Sequence, residues 1–288
     1  MATSAADLAA EFGYSISFFK SQPELYKLLK TAVSEDYTPA RFVAALQNTK
    51  WFRVSSEAAR KYTMLKSSDP ATFKQQLSSI TAHILNQGGA MGAILTVAEA
   101  RKLADTSLRL GWNEDQLKRY LVNQLDYNKK GGYYYGRAGA AQAQIEGMAK
   151  DYGVSVSPAV VKSYVSKVVL GQADQEDARA MLQRQASSKY VALKDRIMAG
   201  ETVRDIADPY IQSYGKLLEV NGENINLDDQ LIQQALQSKD AKGQPATLSV
   251  WEFEQKLRSD KRWAQTQNAQ NQMTSVASDI LKQFGLVT

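Results

Sequence analysis

The chain has 288 residues, contains no cysteine, and carries 35 Lys and Arg against 30 Asp and Glu, for a net charge of +5. This length suffices for a large apolar interior in one helical domain or in two smaller ones. The absence of cysteine excludes disulfides, thiolate zinc sites and thiol nucleophiles. The two signs of charge are interspersed, whereas nucleic-acid-binding proteins usually concentrate their cations on one face.

No segment has the composition of a signal peptide or of a membrane span. The N-terminal MATSAADLAAEFGY carries Asp7 and Glu11 where a signal peptide carries basic residues. The longest weakly polar stretch, Gly88 to Ala98, is about half the length needed to cross a bilayer. We therefore expect neither export by a signal peptide nor a membrane span.

Nearly every segment before residue 126 predicts a helix, because apolar residues recur at i, i+3, i+4 and i+7 between recognisable caps. Ser, Thr, Asp or Asn stands at most starts, and Gly stands at several ends. The predicted helices run, in order, from Ala5 to Phe12, from Ser21, from Thr38, from about Ser55 to Leu65, from Asp69, from Thr96 to Leu110, and from Asn113.

The segment DYNKKGGYYYGRAGA, residues 126–140, interrupts this pattern with glycines, tyrosines and cations. It is the best candidate for a domain boundary or an exposed loop. Its tyrosines could stack on bases or sugars beside the cations, could form a protein contact, or could belong to a mobile linker. The candidate contact surface consists of Tyr127, Lys129, Lys130, Tyr133, Tyr134, Tyr135 and Arg137.

Helical periodicity resumes at Ala140 and continues to the end of the chain. A polar spacer, SKDAKGQPAT, separates the last two helices from the rest. The predicted helices are Ala140 to Tyr152, Ser157 to Leu170, Asp174 to about Ala199 with a break near Ser187, Thr202 to Ala207, Asp208 to Leu218, Leu227 to Gln237, one from Ser249, and a last one ending at Gly285.

These patterns predict an all-α chain of about a dozen short helices in one or two irregular bundles, without a sheet. No heptad pattern persists beyond about three turns before a Gly or Pro, which argues against a coiled coil. The predicted domains are an N-terminal helical bundle at 1–125, a Gly/Tyr-rich loop or linker at 126–139, and a C-terminal helical bundle at 140–288.

Two distant segments repeat the same order of a cap, a Phe, a Leu and a Trp. The Trp falls 13 residues after the cap in the first segment and 14 in the second, so a loop must absorb the additional residue. The caps are Thr38 and Ser249. We interpret the other side chains as structural packing, because aromatic residues at helical spacing usually lie in cores. These packing residues are Phe42, Leu46 and Trp51 in the first segment, and Phe253, Leu257 and Trp263 in the second.

The sequence offers no catalytic, cofactor-binding or metal site. His83 is the only histidine, and we expect it to be structural, because no second His or Cys exists to complete a metal site and no Gly-x-Ser-x-Gly elbow supports Ser-His-Asp catalysis. The clusters GGAMGA and GGYYYGRAGA match no phosphate-binding fingerprint. They resemble a Gly-Ala-rich stretch of lytic transglycosylases, but the Glu-Ser pair of that fold does not occur. We expect no enzymatic activity, cofactor or metal.

The C-terminal FEQKLRSDKRWAQTQNAQNQMTSVASDILKQFGL is similar to a signature of helical virion proteins, minor tail and internal, of tailed actinobacterial phages. The shared features are Phe-Glu, Leu-Arg, an Asp before Arg-Trp, Thr-x-Asn-Ala and a terminal Phe-Gly. YGVSVSPAVV, AGETVRDIADPYIQSYGKLLEV and QPELYKLLKTAV with TKWF resemble the same group, so the resemblance covers most of the chain. Lys261 stands where a Pro is expected, which makes that turn less rigid.

The resemblance implies a non-enzymatic virion structural protein, a minor tail or tail-associated component made in the host cytoplasm. It would assemble in several copies against other virion proteins, with the tyrosine loop and the amide-rich C-terminal helices as contact surfaces. The family supplies no catalytic residues to transfer. The open alternatives are an internal or ejected protein that binds or cleaves peptidoglycan, and a nucleic-acid-associated head protein; nucleic acid is not the favoured partner.

Overall fold

The computed structural model describes residues 5–11 and 13–283. In this part of the chain, 17 α-helices and three short 3-10 turns make up nearly all of the regular structure, which confirms the all-α class. Two antiparallel hairpins with strands of two residues are the exception, so the expectation of no sheet is wrong at these turns. None of the described helices is long and apolar enough to cross a membrane.

The chain divides into two compact units, Met1–Ala140 and Ala141–Thr288. The division falls inside a helix, α10, rather than in the glycine-rich segment that precedes it. The segment 126–139, expected to be a loop or linker, therefore groups with the first unit, and its last residues are helical.

In its described residues, the first unit is built from nine helices, one hairpin and the start of α10. The helix α2 is absent from the sequence-based prediction because its five residues are too few for a periodic pattern. The elements are α1 (Ala5–Glu11), α2 (Ile16–Lys20), α3 (Pro23–Ser34), α4 (Pro39–Asn48), α5 (Lys50–Val54), α6 (Glu57–Ser68), α7 (Pro70–Met91), α8 (Val97–Leu110), α9 (Glu114–Val122), β1 (Tyr127–Asn128), β2 (Tyr133–Tyr134) and α10 (Gly136–Asp151).

An aromatic cluster fills the N-terminal part of the first unit. Phe18 and Phe19, on α2, are fully buried. The ring of Phe19 meets that of Phe42 edge-on at a centroid distance of 5.8 Å, and the ring of Phe18 meets that of Trp51 at 5.5 Å. Such edge-to-face pairs add to the free energy gained by burial, so α2 links α4 and α5 within one core.

As far as the structure describes it, the second unit contains seven helices after α10, a second hairpin and three 3-10 turns. The last helix is described as far as Gln283, so its predicted end at Gly285 lies outside the described residues. The elements are α11 (Pro158–Val169), α12 (Gln175–Lys189), α13 (Lys194–Met198), α14 (Val203–Leu218), α15 (Gln230–Leu236), β3 (Ser238–Lys239), β4 (Pro245–Ala246), α16 (Val250–Arg258), α17 (Gln267–Gln283), and the turns Val191–Leu193, Gly222–Asn224 and Trp263–Gln265.

Helix α14 is continuous through Pro209, although the sequence predicts two helices that meet there. Proline removes one backbone hydrogen bond and usually ends or kinks a helix. Here Ile206 and Ala207 before the proline, and Tyr210 and Ile211 after it, are all buried. The free energy gained by burying this face on both sides of the proline exceeds the free energy lost with one backbone hydrogen bond.

The core of the second unit surrounds α14. The ring of Tyr210 meets that of Phe253, on α16, edge-on at 5.4 Å, and the Tyr210 hydroxyl donates to the carbonyl oxygen of Leu248 at 2.5 Å. The break between α12 and α13 falls at Tyr190, close to the predicted break at Ser187. Tyr190 is fully buried.

Candidate functional site

Helix α17 projects from the core of the second unit. Thr266, which caps it, and Ala269, in its first turn, are buried. From Gln270 to Gln283 every described side chain is exposed, except for Ser278, which is partly exposed. Most of α17 therefore lies in solvent.

Two polar groups hold the start of α17 in place. The Thr266 hydroxyl donates to the carbonyl oxygen of Trp263 at 2.7 Å and accepts from the amide of Ala269 at 3.1 Å. The carboxylate of Glu219, which follows α14, accepts from the amides of the first two residues of α17 at 3.0 and 2.8 Å. A carboxylate at a helix N-terminus also interacts favourably with the helix dipole. The projecting helix therefore begins from a fixed point on α14.

An apolar stripe runs along the exposed part of α17. Met273, Val276 and Ile280 are 58%, 51% and 48% exposed. With Ala277 they follow the spacing i, i+3, i+4 and i+7, which places them on one face of a helix. Together with Trp263 they line a shallow groove. Contiguous exposed apolar surface is a feature of interaction sites.

The other faces of α17 are polar and nearly without charge. Asp279 and Lys282 are its only charged residues, and their charges cancel. The remaining polar side chains are amides and hydroxyls. The amide-rich sequence here predicts a contact surface, but it does not single out the apolar stripe, because the same spacing is found on helix faces buried in a core. The stripe becomes a candidate site only because no described residue covers it.

The tyrosine segment folds as a hairpin closed by one asparagine. The side-chain oxygen Oδ1 of Asn128 accepts from the backbone amides of Lys130 and Gly131, both at 3.0 Å. Its amide nitrogen donates to the hydroxyls of Tyr133 and Tyr135 at 3.0 and 3.2 Å. Asn128 therefore fixes both the turn and the two rings that follow it.

The tyrosine rings of this hairpin pair with each other. The rings of Tyr127 and Tyr134 lie 4.9 Å apart, and those of Tyr133 and Tyr135 meet edge-on at 5.2 Å. Burial raises the pKa of the Tyr134 hydroxyl. The structure thus brings the predicted contact residues together at the hairpin and the start of α10, with the cations exposed: Tyr127, Lys129, Lys130, Tyr133, Tyr134, Tyr135 and Arg137.

The two glycine clusters pack against each other. Gly92 and Gly136 have positive φ angles of 106° and 54°. A Cβ atom on Gly92 would lie 2.2 Å from the carbonyl oxygen of Tyr135, and one on Gly136 would lie 2.9 Å from the amide nitrogen of Gly92. Because only glycine tolerates both the backbone conformation and the close approach, packing alone accounts for these two glycines.

The residues interpreted as structural packing lie at or beside the two cores. Phe42, Leu46, Phe253 and Leu257 are buried. Trp51 and Trp263 are partly buried and pack against the cores of their own units. The two tryptophans differ in position, because one lies in the helix α5 and the other in the 3-10 turn before α17.

A small apolar cavity lies in the first unit. Its volume is about 150 Å³, the size of a cavity that holds one benzene-sized group. The Arg60 guanidinium at its rim lies 4.1 Å from the Phe52 ring centroid, and Lys61 pairs with Glu57 at 2.6 Å. The rim charges thus already have partners. The cavity is lined by Tyr14, Phe18, Leu46, Trp51, Phe52, Glu57, Arg60, Lys61 and Met64.

His83 lies on the surface rather than in the core. Its Nε2 atom is 3.2 Å from a carboxylate oxygen of Glu114, and Gln87 donates to the other oxygen. The hydrogen bond from Gln87, together with that from His83, lowers the pKa of the Glu114 carboxyl. This cluster ties α7 to α9. Among the described residues, no group of three or more His, Asp or Glu side chains is arranged to hold a metal ion.

Comparison of the chain with protein-family models, with curated proteins and with solved structures found no match in any of the three. Functional assignment therefore depends on the surfaces described above and on the C-terminal sequence resemblance. Of these surfaces, the stripe on α17 combines exposed apolar side chains with a rigid attachment to its unit.

Proposed function

We propose that the protein is a non-enzymatic structural component of a phage virion, a minor tail or tail-associated protein that works through protein–protein contacts. The observation that carries this proposal is the apolar stripe of α17, which is exposed along a helix that projects into solvent. A catalytic role would need polar groups that converge on a cleft, whereas the shallow groove along the stripe is lined mainly by apolar side chains.

The energetics of a projecting helix support a role in contact. Helices of about 12 to 15 residues are only marginally stable in water without tertiary packing. Burying half-exposed Met273, Val276 and Ile280 against another surface would contribute on the order of 1 kcal/mol for each side chain. A partner that binds this face would therefore stabilise α17, and the helix surface that it contacts is ordered and has no net charge.

The sequence resemblance supports the assignment to a virion. The segment similar to virion proteins covers most of α16, the turn at Trp263 and α17, so it includes the exposed stripe. The turn that lacks the expected Pro at Lys261 is closed instead by an ion pair, with Arg262 Nε at 2.8 Å from an Asp260 carboxylate oxygen.

Quantitative mass spectrometry of purified phage particles tests the proposal. We expect the protein in every preparation, at several copies per particle. Its absence from particles, with presence in the infected-cell lysate, would refute a structural role. Clearing of cell walls in a zymogram by the purified protein would instead favour an enzyme that acts on the envelope.

DNA binding tests the remaining alternative. A head protein that binds nucleic acid through the hairpin would bind DNA with an affinity that falls steeply with salt, because binding releases counterions. Replacement of Lys129 and Lys130 by alanine would then weaken the binding. We expect no such binding at physiological salt, since the exposed cations of the hairpin are few.

A further inference from the structure

We propose that the partner of the α17 stripe is the α17 stripe of a second copy of this chain, in an antiparallel pair related by a two-fold axis. This inference rests on the proposed function, because it takes α17 as the contact surface and names what covers it. It concerns the stripe formed by Met273, Val276, Ala277 and Ile280.

The spacing of the stripe makes it complementary to itself. Its centre lies between Val276 and Ala277, and Met273 and Ile280 stand at equal distances on either side. In an antiparallel pair about this centre, Met273 faces Ile280 of the second copy, and Ile280 faces Met273 of the second copy. Val276 and Ala277 surround the axis, where the small Ala277 allows the helices to approach closely. A two-fold interface requires this kind of self-complementarity.

The charges on α17 are compatible with this pairing. Each helix is neutral, because Asp279 and Lys282 cancel, so two copies do not repel each other. With about 100° per residue, Lys282 lies on the face opposite the stripe. Asp279 lies on the flank, close to Gln272 of the second copy, whose amide can donate to the carboxylate.

The size of the stripe indicates a reversible pair. Three half-exposed side chains present on the order of a few hundred Å² of apolar surface, below the roughly 800 Å² per partner of a stable interface. The free protein should therefore dissociate on dilution. Copies held close together in an assembly would pair more completely, because their effective concentration is high.

Single cysteines test the pair directly, because the chain has no cysteine of its own. In the proposed register, Ala277 lies next to Ala277 of the second copy, whereas the two copies of Met273 are about 10 Å apart along the axis. A disulfide requires Cβ atoms about 4 Å apart. Under mild oxidation of concentrated protein, we expect Ala277→Cys to form a covalent dimer. We expect Met273→Cys and the opposite-face control Ser275→Cys to remain monomeric.

A double variant tests the register. Met273→Cys combined with Ile280→Cys should restore dimer formation, because these positions face each other in an antiparallel pair. Equal cross-linking of Met273→Cys and Ala277→Cys would overturn the antiparallel arrangement. The absence of cross-linking in every variant, with helix content unchanged by circular dichroism, would overturn the pair.

The content of purified particles separates this inference from the proposed function. If no cysteine variant forms a dimer but a stripe variant is lost from particles, then α17 binds a different virion protein. This result would refute pairing with a second copy but not the proposed function. Specific cross-linking of a protein that is absent from particles would support the pair and refute the virion role.

Discussion

At the level of single residues, the two repeated segments both bury a Phe side chain but place their Trp side chains in different elements. Phe42 and Phe253 are fully buried, as their spacing from the caps predicts. The tryptophans do not repeat in the same way, because the cap that precedes α5 is Thr49 and the cap that precedes α17 is Thr266. Trp51 follows its threonine, whereas Trp263 precedes its own. Sequence order alone cannot show which residue begins a short helix.

Replacement of Phe253 by alanine should cost about 3 to 5 kcal/mol of unfolding free energy, because it empties a fully buried site beside Tyr210. Chemical denaturation measures this loss. Trp251, on the same helix, is 68% exposed, so Trp251→Ala should change the unfolding free energy by less than about 0.5 kcal/mol. Similar losses in the two variants would contradict the described packing of α16.

The Glu114 cluster predicts a small dependence of stability on pH. The pKa of Glu114 in the folded protein lies below its ordinary value of 4.5, owing first to the hydrogen bond from Gln87. The ionised Glu114 therefore stabilises the folded protein fully at pH values above this ordinary value. The stabilisation is lost as the pH falls through the lowered pKa of the folded state. The carboxylate is 47% exposed, so solvent screening limits the effect to a fraction of a kcal/mol.

Gln87→Ala should therefore destabilise the protein more at pH 6 than at pH 3, because the fraction of molecules with a protonated Glu114 rises as the pH falls through the lowered folded pKa. Urea denaturation at the two pH values measures the difference. The exposed Gln76, on the same helix, provides the control variant Gln76→Ala. A loss of stability that is equal at both pH values would show that the hydrogen bond from Gln87 does not act on the charge of Glu114.

At the level of elements, a remote carboxylate supports the start of a helix in each unit. Glu24 accepts from the amides of Lys50 and Trp51 at 2.8 and 2.9 Å, as Glu219 does at the start of α17. Because these contacts join residues that are far apart in the chain, no short sequence motif predicts them. The local caps Thr38 and Ser249 are predictable, because a cap and its helix are adjacent in sequence.

Glu219→Gln should loosen the start of α17. The change removes the negative charge that faces the two amides at the start of the helix. We expect it to lower the free energy of unfolding by about 0.5 to 2 kcal/mol. Hydrogen exchange of the first-turn amides of α17 should accelerate, while exchange in α14 stays unchanged. Glu223→Gln, at an exposed glutamate nearby, is the control. Unchanged exchange in Glu219→Gln would show that the carboxylate does not hold the helix.

The tyrosine hairpin shows why a sequence of glycines and tyrosines was open to several interpretations. Its order depends on Asn128, which binds two amides and two hydroxyls at once. Asn128→Ala should open the turn and release the rings of Tyr133 and Tyr135. We expect a loss of near-ultraviolet circular dichroism, with unchanged far-ultraviolet helix signal. An unchanged aromatic signal would contradict the closed hairpin.

At the level of the whole molecule, helical periodicity predicts the fold class but not which apolar faces are covered. The spacing of Met273, Val276 and Ile280 on α17 is the same as that of a buried helix face. Similarly, the buried residues around Pro209 keep α14 continuous where a local rule predicts a break. In both cases the outcome depends on neighbours that are distant in the sequence. A contact surface of this kind is therefore visible only in the folded chain.

The most direct test of α17 as the contact surface is the amount of protein in purified particles that carry stripe variants. Val276→Asp with Ile280→Asp adds two charges to the stripe, and Asn271→Asp with Ser275→Asp adds two charges to the opposite face. We expect the first pair to lower the copy number per particle at least tenfold and the second pair to leave it unchanged. Normal incorporation of the stripe variant, or equal loss of both variants, would contradict assembly through this stripe.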